Sequence, residues 1–164
     1  MKLFKKLLAV ALVGVMALTV LAGCSTTVDP DTVFENDSVC QAYDSLTNQA
    51  SDAGYSTGAY SRKLSEVAKS MYYAAVNTYG IGGEYSAGRD EAAKAAFAQA
   101  VKDGKLPAGS ALCVGYLPSN PAGFGGFDYA KVYEDSEYGN ANTIGICYID
   151  GNLMIVAAYI PASK

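Results

Sequence analysis

Histidine and tryptophan are absent from the 164 residues of this chain, and cysteine occurs at only four positions. Histidine is the commonest general base and the commonest metal ligand in proteins. Its absence excludes nucleophilic catalysis by a Ser–His or Cys–His pair and disfavours a transition-metal site. The composition therefore favours a protein that has no catalytic residue, no metal and no cofactor.

The cysteines show no Cys-x-x-Cys spacing, which disfavours a zinc knuckle or a thioredoxin-like site. Cys113 and Cys147 lie in two predicted strands, so a disulfide between them requires neighbouring strands and an oxidising compartment. The alternative, which we prefer for Cys40, Cys113 and Cys147, is a buried free thiol that behaves as a small apolar side chain.

Cys24 stands at the end of a secretory pattern. Three lysines precede residue 7, and residues 7–20 form an almost unbroken apolar run. The run is shorter than the about 20 apolar residues of a spanning helix, and small residues follow it as in a cleaved signal. The sequence Leu21-Ala22-Gly23-Cys24 resembles the lipobox of bacterial lipoproteins, in which the cysteine is lipidated and becomes the first mature residue.

This resemblance implies that residues 1–23 are a signal peptide and that Cys24 carries a diacylglyceryl anchor. Two acyl chains are enough for stable attachment, so we expect the protein on the extracytoplasmic face of the cell membrane. Residues 24–37 mix Thr, Asp, Pro, Ser and Asn with few apolar residues, which predicts a tether. Residues 38–164 have the length of a single domain.

The net charge of the chain limits the classes of partner that it can bind. Loss of residues 1–23 removes three lysines and no acid, so the remaining 141 residues hold 9 basic and 16 acidic side chains, a net charge of −7. Such a surface repels phosphate backbones, which excludes nucleic acid as a partner class. Membrane attachment is then expected through the lipid on Cys24 alone.

Apolar periodicity predicts three helices, over residues 39–53, 61–80 and 90–103. Ser38 with Gln41 has the capping-box spacing for the first helix, and Ser61 caps the second. Gly80 ends the second helix, while Gly104 with Leu106 forms a glycine stop with an apolar contact after the third.

The pattern then changes to alternation, which predicts strands over residues 110–117, 143–149 and 153–160. Asp150-Gly151 between the last two strands indicates a tight hairpin. Residues 128–138 fit either an irregular segment or a short helix capped by Asp128. The predicted fold is α+β, with three N-terminal helices packed on a small antiparallel sheet that a C-terminal β-hairpin closes.

A candidate ligand site lies among the tyrosines and acids of the C-terminal half. Tyrosine supplies a flat apolar ring for stacking and a polar tip, and a carboxylate orients a polar ligand group. The predicted ligand-binding residues are Tyr116, Tyr129, Tyr133, Glu134 and Tyr138. A structural role for each of them is the alternative.

The order of elements resembles the CAP (SCP/TAPS-like) domain. The resemblance is carried by the helical sequence of residues 64–69 and by Ile144-Gly145-Ile146, which matches part of an Ile-Gly-Val-Gly-like segment of the family. Residues 136–141 lie where the family often has a Gly-His-Arg-x-Asn-type segment, here without the histidine, and Gly83-Glu84 faintly matches its Gly-Glu-Asn motif. The resemblance implies an α-β-α sandwich whose cleft has lost the family's metal site.

These patterns together predict an envelope lipoprotein whose domain binds a cell-wall glycan, peptide, lipid or protein without converting it. One alternative is a hydrolase of envelope polysaccharide that uses two carboxylates from Glu134, Asp135 and Glu137. Another is a structural subunit of an envelope assembly, which would expose a contiguous apolar patch.

Overall fold

The helices and strands lie in the part of the chain that the computed structural model describes, residues 29–80, 87–117 and 124–162. One compact unit begins at Asp31, and its fold is the one described below. The predicted signal peptide, Cys24 and Gly83-Glu84 lie outside the described residues. The helices are α1 (Asp37–Asp52), α2 (Arg62–Tyr79), α3 (Ala87–Lys102) and α4 (Ala130–Tyr133), and the strands are β1 (Ala59–Tyr60), β2 (Ala111–Tyr116), β3 (Thr143–Ile149) and β4 (Asn152–Tyr159). Short 3-10 turns lie at Pro30–Thr32, Phe124–Gly126 and Tyr138–Asn140.

Strands β3 and β4 form the predicted antiparallel hairpin at the centre of the sheet. Their register runs from Thr143 opposite Ala158 to Ile149 opposite Asn152. Asp150 and Gly151 turn the chain with φ values of 50° and 79°. Positive φ at both central residues is the requirement of the tight turn that matches strand twist, so the hairpin prediction is confirmed.

The sheet has the order β1-β3-β4-β2 and is mixed rather than purely antiparallel. Strand β2 pairs antiparallel with β4, but β1 pairs parallel with β3 through Ala59 opposite Thr143 and Tyr60 opposite Ile144. Strand β1 was not predicted, because two residues are too few to show an alternating pattern.

Helices cover both faces of the sheet, which makes the domain a three-layer α+β fold, as predicted. One core lies between α1 and the sheet and contains Val39, Ala42, Leu46, Ala50, Ile144, Ile146, Leu153 and Ile155. The other lies between the sheet and α2 with α3 and contains Leu64, Val67, Met71, Phe97, Met154, Val156 and Ala158. Alternate residues of β3 and β4 point to opposite cores, so both faces of the hairpin are buried.

Helix α2 begins and ends where the sequence predicts. The hydroxyl of Ser61 accepts a hydrogen bond from the Leu64 N–H at 3.1 Å, and Gly80 follows the last turn with a φ of 72°. Helix α1 begins differently, because the cap is Asn36, whose side chain accepts from the Val39 N–H at 3.0 Å. The prediction that Ser38 caps this helix is wrong, since Ser38 already lies in its first turn.

The segment that precedes α1 packs on the domain. The Asp31 carboxylate accepts hydrogen bonds from the Ser61 hydroxyl at 2.8 Å and from the Lys63 N–H at 2.6 Å. The Phe34 ring lies 4.5 Å from the Tyr60 ring, between centroids. The predicted tether over residues 24–37 therefore extends too far, because the compact unit already includes the chain from Asp31 onward.

Helix α2 crosses β3 without a side chain between the two backbones. A Cβ atom at Gly145 would lie 2.6 Å from the carbonyl carbon of Leu64 and 2.7 Å from its oxygen. Beside this contact, the buried Ser65 hydroxyl accepts a hydrogen bond from the Ile146 N–H at 3.0 Å and donates to the Ser61 carbonyl at 2.9 Å. Strand β1 has already ended at Tyr60, so Ser65 supplies an acceptor that a longer strand would have offered.

The three described cysteines are free thiols. Cys147 is buried in the core under α2 and α3, and this burial raises its pKa to about 12. Cys113 packs against the core on the opposite face, and β4 lies between the two strands. The proposed disulfide between Cys113 and Cys147 therefore does not form in this fold. Cys40 and Cys113 are half-buried rather than fully buried as expected.

Candidate functional site

The tyrosines of the predicted ligand site are mainly core residues. Tyr129, Tyr133 and Tyr138 are only 5, 8 and 2% exposed, and all three belong to the core between the sheet and α1. Tyr129 precedes the short helix α4, and the predicted cap at Asp128 is wrong because no side chain caps this helix. These rings therefore stabilise the fold, and the structure does not bring them together in an open cleft.

The acidic residues of the same segment lie on the surface. Glu134, Asp135 and Glu137 are exposed. Asp135 accepts a hydrogen bond from the Glu137 N–H at 2.9 Å, and Glu137 accepts one from the Asn140 side-chain amide at 2.9 Å. Their oxygens thus stabilise the turn that follows α4, and Glu134 does not line either cavity described below.

A cavity in the described part of the chain forms a groove between α3 and β2, here called the α3–β2 groove. Its volume is about 610 Å³, and a smaller cavity of about 200 Å³ continues it past Gly115 and Tyr116. Pockets for small ligands occupy about 300 to 1,000 Å³. The α3–β2 groove therefore has the size of a binding site.

Apolar side chains form the floor of the groove. Helix α3 presents Ala93, Phe97 and Val101 at intervals of four residues, so they lie along one side of the helix. Met71 of α2 and Leu112 of β2 complete this surface. The i, i+4 pattern predicted a buried face for α3, and the structure shows that part of this face lines a groove.

Gly115 lines the groove without adding a side chain to it. It lines both cavities and is exposed, and a Cβ atom at this position would have the Met71 methyl, at 3.3 Å, as its nearest neighbour. The methyl is the end of a flexible side chain and can move, so a larger residue at position 115 would fit the fold and occupy the groove.

Charged side chains surround the apolar floor. Three lysines and two aspartates line the groove: Lys94, Lys102, Lys131, Asp90 and Asp135. The Lys94 ammonium lies 3.5 Å from the Asp90 carboxylate, and the Lys131 ammonium lies 3.8 Å from that of Asp128. Buried Arg89 of α3 lines the smaller cavity. The rim is thus weakly cationic in a chain that carries 16 acidic and 12 basic residues.

Tyr116 is the one predicted ligand-binding residue that lines this groove. Its ring meets the Phe127 ring edge-on, with centroids 5.0 Å apart, and Phe127 in turn lies 5.1 Å from Tyr129. The remaining lining residues were missed, although Phe97 and Ala93 were predicted as the buried side of a helix. Their role at a groove depends on which strand lies opposite, and one sequence does not show that.

Replacement of Tyr138 by Phe is expected to leave the free energy of unfolding at pH 7 unchanged or slightly higher, because the buried hydroxyl has no hydrogen-bond partner among the described residues. Burial raises the Tyr138 pKa from 10.0 to about 12. The folded state therefore holds this proton where the unfolded chain has lost it, and stability falls as the pH rises from 10.0 towards about 12. Urea unfolding at pH 7 and at a pH of about 12 measures this effect. The unfolding free energy should fall less between the two pH values for Tyr138→Phe than for the wild type. Equal losses would contradict this account, and exposed Tyr159→Phe is the control.

Comparisons with protein families, with curated proteins and with solved structures returned no match. The resemblance to the CAP domain therefore stays a prediction. Within the described residues, no helix is long and apolar enough to cross a membrane, and no group of three potential metal ligands occurs.

Proposed function

We propose that this chain is a lipid-anchored protein of the bacterial envelope, attached through Cys24, whose α+β domain binds a ligand in the α3–β2 groove without converting it. The observation that carries the binding function is the groove itself, which combines an apolar floor with a charged rim in a volume of about 610 Å³. Apolar area supplies affinity in such sites, and a few placed polar groups supply orientation.

The contacts of the two carboxylates in the groove support binding over hydrolysis. A glycoside hydrolase holds two carboxyl groups on either side of the scissile bond, one of them as a proton donor. In the groove, Asp90 faces the Lys94 ammonium, and Asp135 accepts the Glu137 N–H. Both carboxylates thus have a partner within their own segment of the chain, and this local role supports binding in the groove over a catalytic pair on either side of a scissile bond.

A substitution at Gly115 tests the groove. Gly115→Val should reduce recovery of the natural ligand about tenfold, because the added methyl groups occupy the space that the ligand needs. The measurement is capture of cell-wall fragments, lipids and proteins from an envelope extract by the full-length chain immobilised in mild detergent. Gly139→Val is the matched control, since a Cβ atom there meets nothing within 4 Å. Equal recovery by folded Gly115→Val and the wild type would overturn the groove as the ligand site.

A substitution at Cys24 tests the anchor. Cys24→Ser should move the protein from the membrane fraction to the non-membrane fraction and abolish the mass of the diacylglyceryl group, because serine offers no thiol for the modification. Fractionation and mass spectrometry of the N-terminal peptide measure both. Cys40→Ser, which changes a half-buried free thiol of α1, should keep the wild-type distribution. Membrane association of Cys24→Ser at the wild-type level would contradict anchoring at this residue.

A further inference from the structure

The α3–β2 groove runs along an unpaired sheet edge. Strand β2 is last in the order β1-β3-β4-β2, and among the described strands it pairs with β4 alone. Five consecutive residues of β2, from Leu112 to Tyr116, line the groove. Because the backbone groups of an edge strand that point away from its neighbour have no ladder partner, such an edge is a template for another strand.

The geometry points to an extended peptide as the ligand: we propose that a segment with acidic side chains adds to the free edge of β2 and lies along α3. This inference rests on the proposed function, whose groove it specifies. Main-chain hydrogen bonds give affinity in this mode of recognition, and pockets for alternate side chains give specificity.

The regular part of β2 sets where pairing would occur. A β-bulge shifts the register between Leu112 and Val114, after which Val114, Gly115 and Tyr116 pair regularly with β4. A bulge interrupts the ladder locally, so the added strand would pair with residues 114–116. This is also the part of the strand that lines both cavities at Gly115 and Tyr116.

The groove also fits the side chains of such a strand. Alternate residues of a strand point to the same face, so every second side chain of the peptide would face the apolar floor under α3. Phe97 and Leu112 lie on that floor, and Gly115, which also lines the groove, adds no side chain to it.

Charge complementarity favours an acidic peptide. The groove has three lysines and two aspartates on its lining, whereas the whole chain has a net charge of −4. Lys102, on the last turn of α3, makes no ion pair with any described residue, so its ammonium is available to a ligand carboxylate. Opposite potentials steer the ligand to the groove and suppress basic competitors.

The test is selection of peptides about eight residues long, the length of a strand, from a random library displayed on phage. The full-length chain in detergent is the bait, and Gly115→Val is the counter-selection. We expect enriched peptides in which apolar residues alternate with acidic ones. Absence of enrichment over the Gly115→Val bait would overturn the peptide proposal.

Methylation of backbone amides distinguishes strand addition from other binding. A synthetic copy of an enriched peptide is N-methylated at alternate residues in two versions, one for each phase of the strand. One version should bind about tenfold more weakly because it loses the hydrogen bonds to β2, while the other keeps its affinity. Equal affinities of the two versions would overturn strand addition. If the peptide still competes with the natural ligand for the groove in that case, the proposed function stands. Unchanged capture of the natural ligand by Gly115→Val would instead overturn the proposed function itself.

Two charge-reversal variants test whether Lys102 recognises an acidic group of the peptide. Lys102→Glu should weaken binding of the acidic peptide about threefold, as expected for a partly exposed ion pair. Lys63→Glu makes the same change in net charge on the first turn of α2, outside the lining of the groove, and should leave the affinity unchanged. Equal effects of the two variants would contradict recognition of an acidic group at Lys102.

Discussion

The Gly145→Ala variant is expected to lose about 3 kcal/mol of unfolding free energy, because its Cβ atom would enter the backbone of α2. The distances of 2.6 and 2.7 Å to the Leu64 carbonyl carbon and oxygen are shorter than any Cβ contact that proteins sustain. Backbone atoms cannot rotate away as a side chain does, so α2 would have to move off β3. Both cores depend on this sheet, and the strain would reach them together.

Urea unfolding monitored by tyrosine fluorescence and circular dichroism measures this effect. Gly139→Ala is the control, because a Cβ atom at Gly139 has no neighbour within 4 Å, and it should change stability by no more than about 0.5 kcal/mol. A Gly145→Ala variant as stable as the control would show that α2 and β3 do not approach each other as described. The same contact explains why glycine lies between Ile144 and Ile146 without reference to any family.

The Ser65→Ala variant is expected to lose about 2 kcal/mol, the cost of leaving a buried N–H group without a partner. The Ser65 hydroxyl is the acceptor for the Ile146 N–H, and Ser65 is 1% exposed, so water cannot replace it. The substitution also removes a second hydrogen bond, which the Ser65 hydroxyl donates to the Ser61 carbonyl oxygen. We therefore expect the junction of β1, α2 and β3 to open more easily, in addition to the loss of unfolding free energy of the whole domain.

Ser70→Ala is the matched control for this variant. Ser70 lies on the same helix and donates to the Glu66 carbonyl at 3.1 Å, but it is exposed, so its loss should cost less than about 0.5 kcal/mol. Hydrogen exchange adds a local measurement, since the Ile146 amide should exchange faster in Ser65→Ala than in the control. Unchanged protection of that amide would contradict the hydrogen bond assigned to Ser65.

The sequence predicted those elements whose signals are local. Ser61 and Gly80 bound α2 because a cap and a positive-φ glycine act on their own helix ends, and Asp150-Gly151 makes a turn by its own backbone preference. The start of α1 was misplaced because Asn36 and Ser38 are both good caps. The extended backbone of Asn36, with φ of −162°, decides between them.

The candidate site was less predictable because its residues come from distant parts of the chain. Phe97 on α3, Gly115 on β2 and Lys131 on α4 meet only after the sheet has formed. Tyr129, Tyr133 and Tyr138 are near each other in sequence, and that proximity suggested a common site. Burial of these rings against α1 is a tertiary effect. Tyrosine has an apolar ring and a polar tip, so its presence in a sequence does not show whether it is buried or lines a site.

The order of the strands also has a consequence for when the chain can fold. The two central strands, β3 and β4, follow every other helix and strand of the described fold in sequence, and each core is built on their side chains. Helix α1 and the α2–α3 pair therefore lack the central strands on which they pack until residues 143–159 are available. We expect the emerging chain to remain open until that point, and the proposed envelope location would then be reached by a chain that is still unfolded during export.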